Sequence, residues 1–132
     1  MLAAGAGTAL ALFLMTAGGC SSAHPQTAQA NYRRGVAEQV RGDSSGAIVL
    51  STKAIDLNPN FAAAYELRGT AQGIEGDLDT AIVDCSKAIE LNPAYAVAFL
   101  NRGSAEGALG DFDKSIADCS RAIELNPGFA DA

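Results

Sequence analysis

Apolar and polar positions alternate along this chain on two scales. On the short scale, residues 62–75 carry Tyr65, Ala71 and Ile74 at helical spacing, and residues 78–91 carry Ile82, Cys85, Ala88, Ile89 and Leu91 in the same way. Gly76 is a helix C-terminal signal, Asp77 is suited to cap the helix that follows, and Pro93 stops that second helix. The pattern predicts a helical hairpin. On the long scale, Ala-Ile-x-Leu-Asn-Pro occurs at 54–59, 88–93 and 122–127, each copy 34 residues from the last. The same offset aligns Arg34, Arg68 and Arg102, then Gly35, Gly69 and Gly103, then the Gly-Asp pairs that begin at Gly42, Gly76 and Gly110. The expected architecture is an all-α solenoid of three helix-turn-helix repeats at 28–61, 62–95 and 96–129, with 130–132 as the start of a further unit.

The second and third units agree at 19 of 34 positions, whereas the first has Asn31 in an aromatic position and opens its second helix with Ser44-Ser45-Gly46. These units resemble the tetratricopeptide repeat. The family's aromatic fourth position is matched by Tyr65 and Phe99. Its eighth-position glycine is matched by Gly35, Gly69 and Gly103, its small twentieth residue by Ala47, Ala81 and Ser115, and its alanine at twenty-seven by Ala54, Ala88 and Ala122. Paired helices come close only where side chains are small, which accounts for these choices. Two features depart from the family pattern. Glu38, Gln72 and Glu106 stand where it has an interhelical tyrosine, and Gly73 and Gly107 add glycines inside the first helices, so the array is expected to be less rigid than a consensus repeat.

Residues 1–31 contain no Asp, Glu, Lys or Arg, so the formal charge of −6 falls on the repeats. Nine Lys and Arg scattered among fifteen carboxylates make no basic stripe, which excludes nucleic acid as the main partner. The apolar run at 9–15 and the small residues Thr16 to Gly19 read as a secretory signal over 1–19. Ala17-Gly18-Gly19-Cys20 resembles the lipobox of bacterial lipoproteins, although that family usually has Leu where Ala17 stands and a basic residue near its start. The resemblance implies lipidation of Cys20, a flexible tether over 20–30, and, with Ser21 after the Cys, an outer-membrane lipoprotein facing the periplasm. Plasma-membrane anchoring, secretion, an uncleaved apolar helix or a disordered tail are the alternatives. His24, the single histidine, sits in the tether with no ligand cluster around it.

No nucleophile with a His partner and no phosphate-cradling loop is present, so neither enzymatic activity nor a cofactor is expected. Asp77-x-Asp79 and Asp111-x-Asp113 lack the further ligands of a calcium loop and read as helix caps. Cys85 and Cys119, one unit apart, are expected to be unbridged core thiols. Function then falls to the groove lined by the first helices. The family's groove positions correspond to Gln29, Tyr32, Val36 and Gln39, to Ala63, Glu66, Thr70 and Gly73, and to Val97, Leu100, Ser104 and Gly107. Of these, Tyr32, Val36, Gln39, Glu66, Thr70, Leu100 and Ser104 are the candidate contacts for a protein or peptide partner. The chaperone-binding members grip a terminal carboxylate with Lys, Asn and Arg, for which this chain has Tyr32, Val36, Leu67, Val97 and Asn101. That clamp is missing. The apolar face of the third unit's second helix is expected to lack a cover, pointing to self-association or to a longer array from which the chain is a fragment.

Overall fold

The structure, a computed structural model, describes residues 26–131. The expected signal segment, Cys20 and His24 lie outside the described residues. Among these residues six α-helices follow one another: α1 (Ala28–Val40), α2 (Ser44–Leu57), α3 (Ala62–Glu75), α4 (Leu78–Leu91), α5 (Ala96–Ala108) and α6 (Phe112–Leu125), then a 3-10 turn, Pro127–Asp131. Each odd helix packs on the even helix after it, each even helix on the next odd one, and the odd helices touch along one side. This is the all-α repeat solenoid that the periodicity predicts. No helix among the described residues is long and apolar enough to cross a membrane.

Local chemistry fixes the ends. Thr27, Asp43, Asp77 and Asp111 accept hydrogen bonds from the backbone N–H three residues on, supplying partners that the first helical turn lacks. The Thr27 cap draws Ala28 to Ala30 into the first turn of α1, so these residues are helix rather than tether. Gly42, Gly76 and Gly110 adopt positive φ between the helices of each pair, a conformation other residues rarely take. Each even helix ends on an asparagine that both stops and turns the chain. Asn58, Asn92 and Asn126 are extended, and their side chains accept from the N–H two residues on, at 3.1, 3.2 and 3.1 Å.

Small residues form the core. Ala47, Ala54, Ala64, Ala88, Ala98 and Ala122 are fully buried, and Gly69 shows why: an added Cβ would lie 2.9 Å from Cys85 Sγ and 3.1 Å from the Ala81 carbonyl. Backbones that close leave no room for a methyl group.

An arginine stitch repeats through this packing. Arg68 donates to both Asp84 carboxylate oxygens at 2.7 and 2.9 Å, to Thr52 Oγ1 of the preceding unit at 3.2 Å, and lies 5.7 Å from the Tyr65 ring centre. Arg102 repeats the arrangement with Asp118 at 2.6 and 2.9 Å, Ser86 at 3.1 Å, and the Phe99 ring at 5.6 Å. One guanidinium thus joins three helices. In the first unit Leu50 replaces the aspartate, and Arg34 is exposed with no ion pair among the described residues.

Two of the three polar residues at the tyrosine position bury unpaired atoms. Among the described residues Gln72 Oε1 and Glu106 Oε2 have no hydrogen-bond partner, whereas Glu38 accepts from Arg41 at 3.0 Å, and burial pushes the Glu106 carboxyl above the usual range. Cys85 and Cys119 are free thiols, the first buried and the second half-buried. Burial, reinforced by the charges of Glu66 and Asp84, pushes the Cys85 thiol up to about 12.

Candidate functional site

The odd helices present one side from which side chains of all three units can reach a common ligand. At its centre is Glu66 on α3, half-buried. Its Oε1 accepts from Thr70 Oγ1 at 2.8 Å and from Asn101 Nδ2 on α5 at 2.7 Å, while Asn101 also donates to Thr70 Oγ1 at 2.7 Å. Helical spacing puts Thr70 one turn beyond Glu66, and Asn101 comes from the equivalent stretch of the next unit. Tyr95, just before α5, directs its hydroxyl at Glu66 Oε2 from 3.4 Å.

These groups perturb one another. Desolvation raises the Glu66 carboxyl above its ordinary range, against the opposing pull of its Thr70, Tyr95 and Asn101 hydrogen bonds. Burial first and the Glu66 charge second raise the phenols of Tyr32 and Tyr95. Tyr32 also packs on Phe61, with ring centres 5.0 Å apart, so the first unit contributes an aromatic pair on the Tyr32 side of the carboxylate.

A cleft of about 290 Å³ opens beside this cluster between α3 and α5, with Ala81 and Leu78 of α4 at its base. Thr70 and Asn101 form its polar edge and Gly73, Ile74, Ala105 and Ala108 its apolar walls. Gly73 is open space rather than tight packing, since an added Cβ would meet only Ala81 Cβ, at 3.7 Å.

Of the predicted contacts, Glu66 and Thr70 are hydrogen-bonded together, and Thr70 and Ser104 share the cleft. Tyr32 is linked to Glu66 through its field. Val36 and Leu100 are half-buried apart from the cleft, and Gln39 is half-buried with its Oε1 lacking a partner. Tyr95 is not among the predicted contacts, because it occupies a linker position between two units. Its signal is the aromatic that recurs at Phe61, Tyr95 and Phe129, 34 residues apart. Among the described residues no group of three or more His, Cys, Asp or Glu could hold a metal ion.

Family profiles described as Tetratricopeptide repeat match residues 62–95 and 96–129. No curated protein matches the chain by sequence. Among solved structures, the first TPR of Spaghetti (RPAP3) bound to the HSP90 peptide SRMEEVD is similar with a TM-score of 0.75 and 29% identity, over 79% of this chain and 82% of that one. The first TPR domain of human RPAP3 gives 0.74 and 29% over 79% and 82%. The Arabidopsis OM64 TPR domain gives 0.75 and 28%, over 76% of this chain and 84% of its own. With two adjacent repeats matched over more than half of its length, the chain belongs to the tetratricopeptide repeat family.

Proposed function

We propose that this protein is a non-enzymatic interaction scaffold that holds a peptide or partner helix in the groove of its odd helices. The cleft beside Glu66 carries the reading: an apolar hollow with a polar edge, formed where two repeats meet, has the make-up of a peptide subsite. The structurally similar Spaghetti repeat holds a peptide, which supports the same use here. A photo-crosslinking residue at Ser104 of the full chain should capture a partner in the native envelope. Substituting Tyr32, Glu66 and Leu100 together should abolish that capture, and unchanged capture would rule the groove out. The proposal extends to tethering: Cys20 carries the lipid that holds the repeats at the bacterial outer membrane, facing the periplasm. Replacing Cys20 by Ser should release the protein, and a Ser variant still acylated and membrane-bound would defeat this part.

The outer face of α6 favours a second reading, pairing with another copy of the chain. Phe112, Ile116 and Ile123 are 67%, 65% and 41% exposed, whereas the matching Leu78, Ile82 and Ile89 of α4 are half-buried under α5. Sedimentation of the full chain should show dimers that Phe112→Lys with Ile116→Lys dissociates, and a monomer at all concentrations would sink the idea.

A further inference from the structure

Glu66 has an electrostatic deficit that its own protein does not fill. The buried aspartates 84 and 118 each hold an arginine, whereas Glu66 has three neutral donors and no Lys or Arg paired with it among the described residues. Glu106, the other carboxylate raised by burial, has Arg102 and Lys114 in its field. A carboxylate has room for about four donors. Oε1 is occupied by Thr70 and Asn101, but the 3.4 Å contact of Tyr95 at Oε2 is longer than the roughly 2.5–3.0 Å of a well-formed hydroxyl bond. Oε2 therefore keeps acceptor capacity, beside electron-rich phenol rings of a kind that attract cations. The groove positions where a clamp for a terminal carboxylate would place Lys, Asn and Arg hold Tyr32, Val36, Leu67, Val97 and Asn101, none of them basic. Its sign is opposite to that of a site for an acidic terminus.

We propose that the groove selects a partner segment bearing a lysine or arginine, whose cationic head meets Glu66 Oε2 beside Tyr95 and Tyr32 while an apolar side chain of a neighbouring residue in the segment enters the cleft at Gly73. This rests on the groove reading and names the chemistry of its ligand. A cation completes the pairing of a half-desolvated carboxylate, and an acidic segment adds a like charge to it. The cleft, about 290 Å³ and largely apolar, takes an apolar side chain that flanks the basic residue.

The test uses the purified full chain and a displayed library of random twelve-residue peptides, anchored so that neither terminus is free. Bound peptides should converge on Lys or Arg at one fixed position. For a synthetic peptide from that set, replacing the basic residue by norleucine should weaken binding at least about ten-fold with the parent, and less than about two-fold with Glu66→Gln, as a pairwise coupling requires. The Gln variant keeps an oxygen for Thr70 and Asn101, and an unchanged melting curve checks that its fold is intact. Selected peptides with no fixed basic position, yet lost on joint substitution of Tyr32, Glu66 and Leu100, would overturn the cation site and leave the groove standing. Peptides that still bind the triple variant, or a library that yields none, would overturn the groove and the cation site together.

Discussion

Replacing Asp84 by Ala removes the anionic half of the stitch and leaves the Arg68 guanidinium in place. The Asp84 and Arg68 side chains are 7% and 21% exposed, so the pair is largely shielded from water. Breaking a buried pair from one side costs about 3–5 kcal/mol. Arg68 keeps Thr52, the Tyr65 face and a partial path to solvent, which places the expected loss at or below the bottom of that range, about 2–3 kcal/mol. The first unit supplies an internal control, because Leu50 occupies the aspartate's place there and Arg34 lies in solvent. Asp84→Leu should therefore recover at least half of the loss, with Arg68 following the path of Arg34. The double variant Arg68→Met, Asp84→Leu should fall within about 1 kcal/mol of the parent. Urea unfolding followed by far-ultraviolet circular dichroism gives midpoint and slope together. The slope matters, since a repeat array can unfold in parts and only an unchanged slope allows midpoints to be compared as energies. An Asp84→Ala protein within about 0.5 kcal/mol of the parent would refute the claim that the stitch holds α3 and α4 together.

Glycines on one helix should respond in opposite ways: Gly73→Ala is expected to stabilise by about 0.5–1 kcal/mol, and Gly69→Ala, forced against Cys85 and the Ala81 carbonyl, to destabilise by about 1–3 kcal/mol, both read from urea midpoints. Glu106→Gln should stabilise at pH 7.5 by about 1 kcal/mol, because the parent buries a charged oxygen without a partner. Its folded carboxyl titrates above the ordinary 4.5, so the folded state holds more protons in that window and the parent loses stability as pH rises through it. The gain should accordingly shrink as pH falls toward 4.5, and a gain independent of pH would contradict the assignment. In the native protein at pH 8, peptide mapping after iodoacetamide should show Cys119 modified at least about ten-fold faster than Cys85, and equal rates would mean that the α3–α4 packing opens readily.

The helices were legible because their boundary signals are local. Gly76, Asp77 and Pro93 each act on their own backbone, so residue identity alone places the ends of α3 and α4. The stitch was half legible: Arg34, Arg68 and Arg102 align by the repeat. Their differing partners emerge only when a residue sixteen positions away is brought alongside, revealing Asp84 and Asp118 in two units and Leu50 in the other. The groove was least legible. Glu66 and Thr70 are one helical turn apart and both are predicted groove residues, but Asn101 reaches them from the following unit and Tyr95 from the linker before it, relations set by the angle between repeats. Likewise, the two added glycines of the first helices look alike in sequence and differ in space. Gly73 faces a cleft, whereas a Cβ at Gly107 would lie 2.9 Å from Ser115 Oγ.

The asparagine turns that close the even helices carry a chemical consequence. Asparagine ages when the nitrogen of the next peptide bond attacks its side-chain carbonyl, closing a five-membered imide and expelling ammonia. Asn58, Asn92 and Asn126 are each followed by proline, whose ring nitrogen has no hydrogen to surrender, so that ring cannot close. The residue that turns one unit into the next is thereby protected from the spontaneous conversion to aspartate or isoaspartate that would insert a charge or an extra backbone carbon at the joint. The spacing of the repeats rests on amides that do not age by this route.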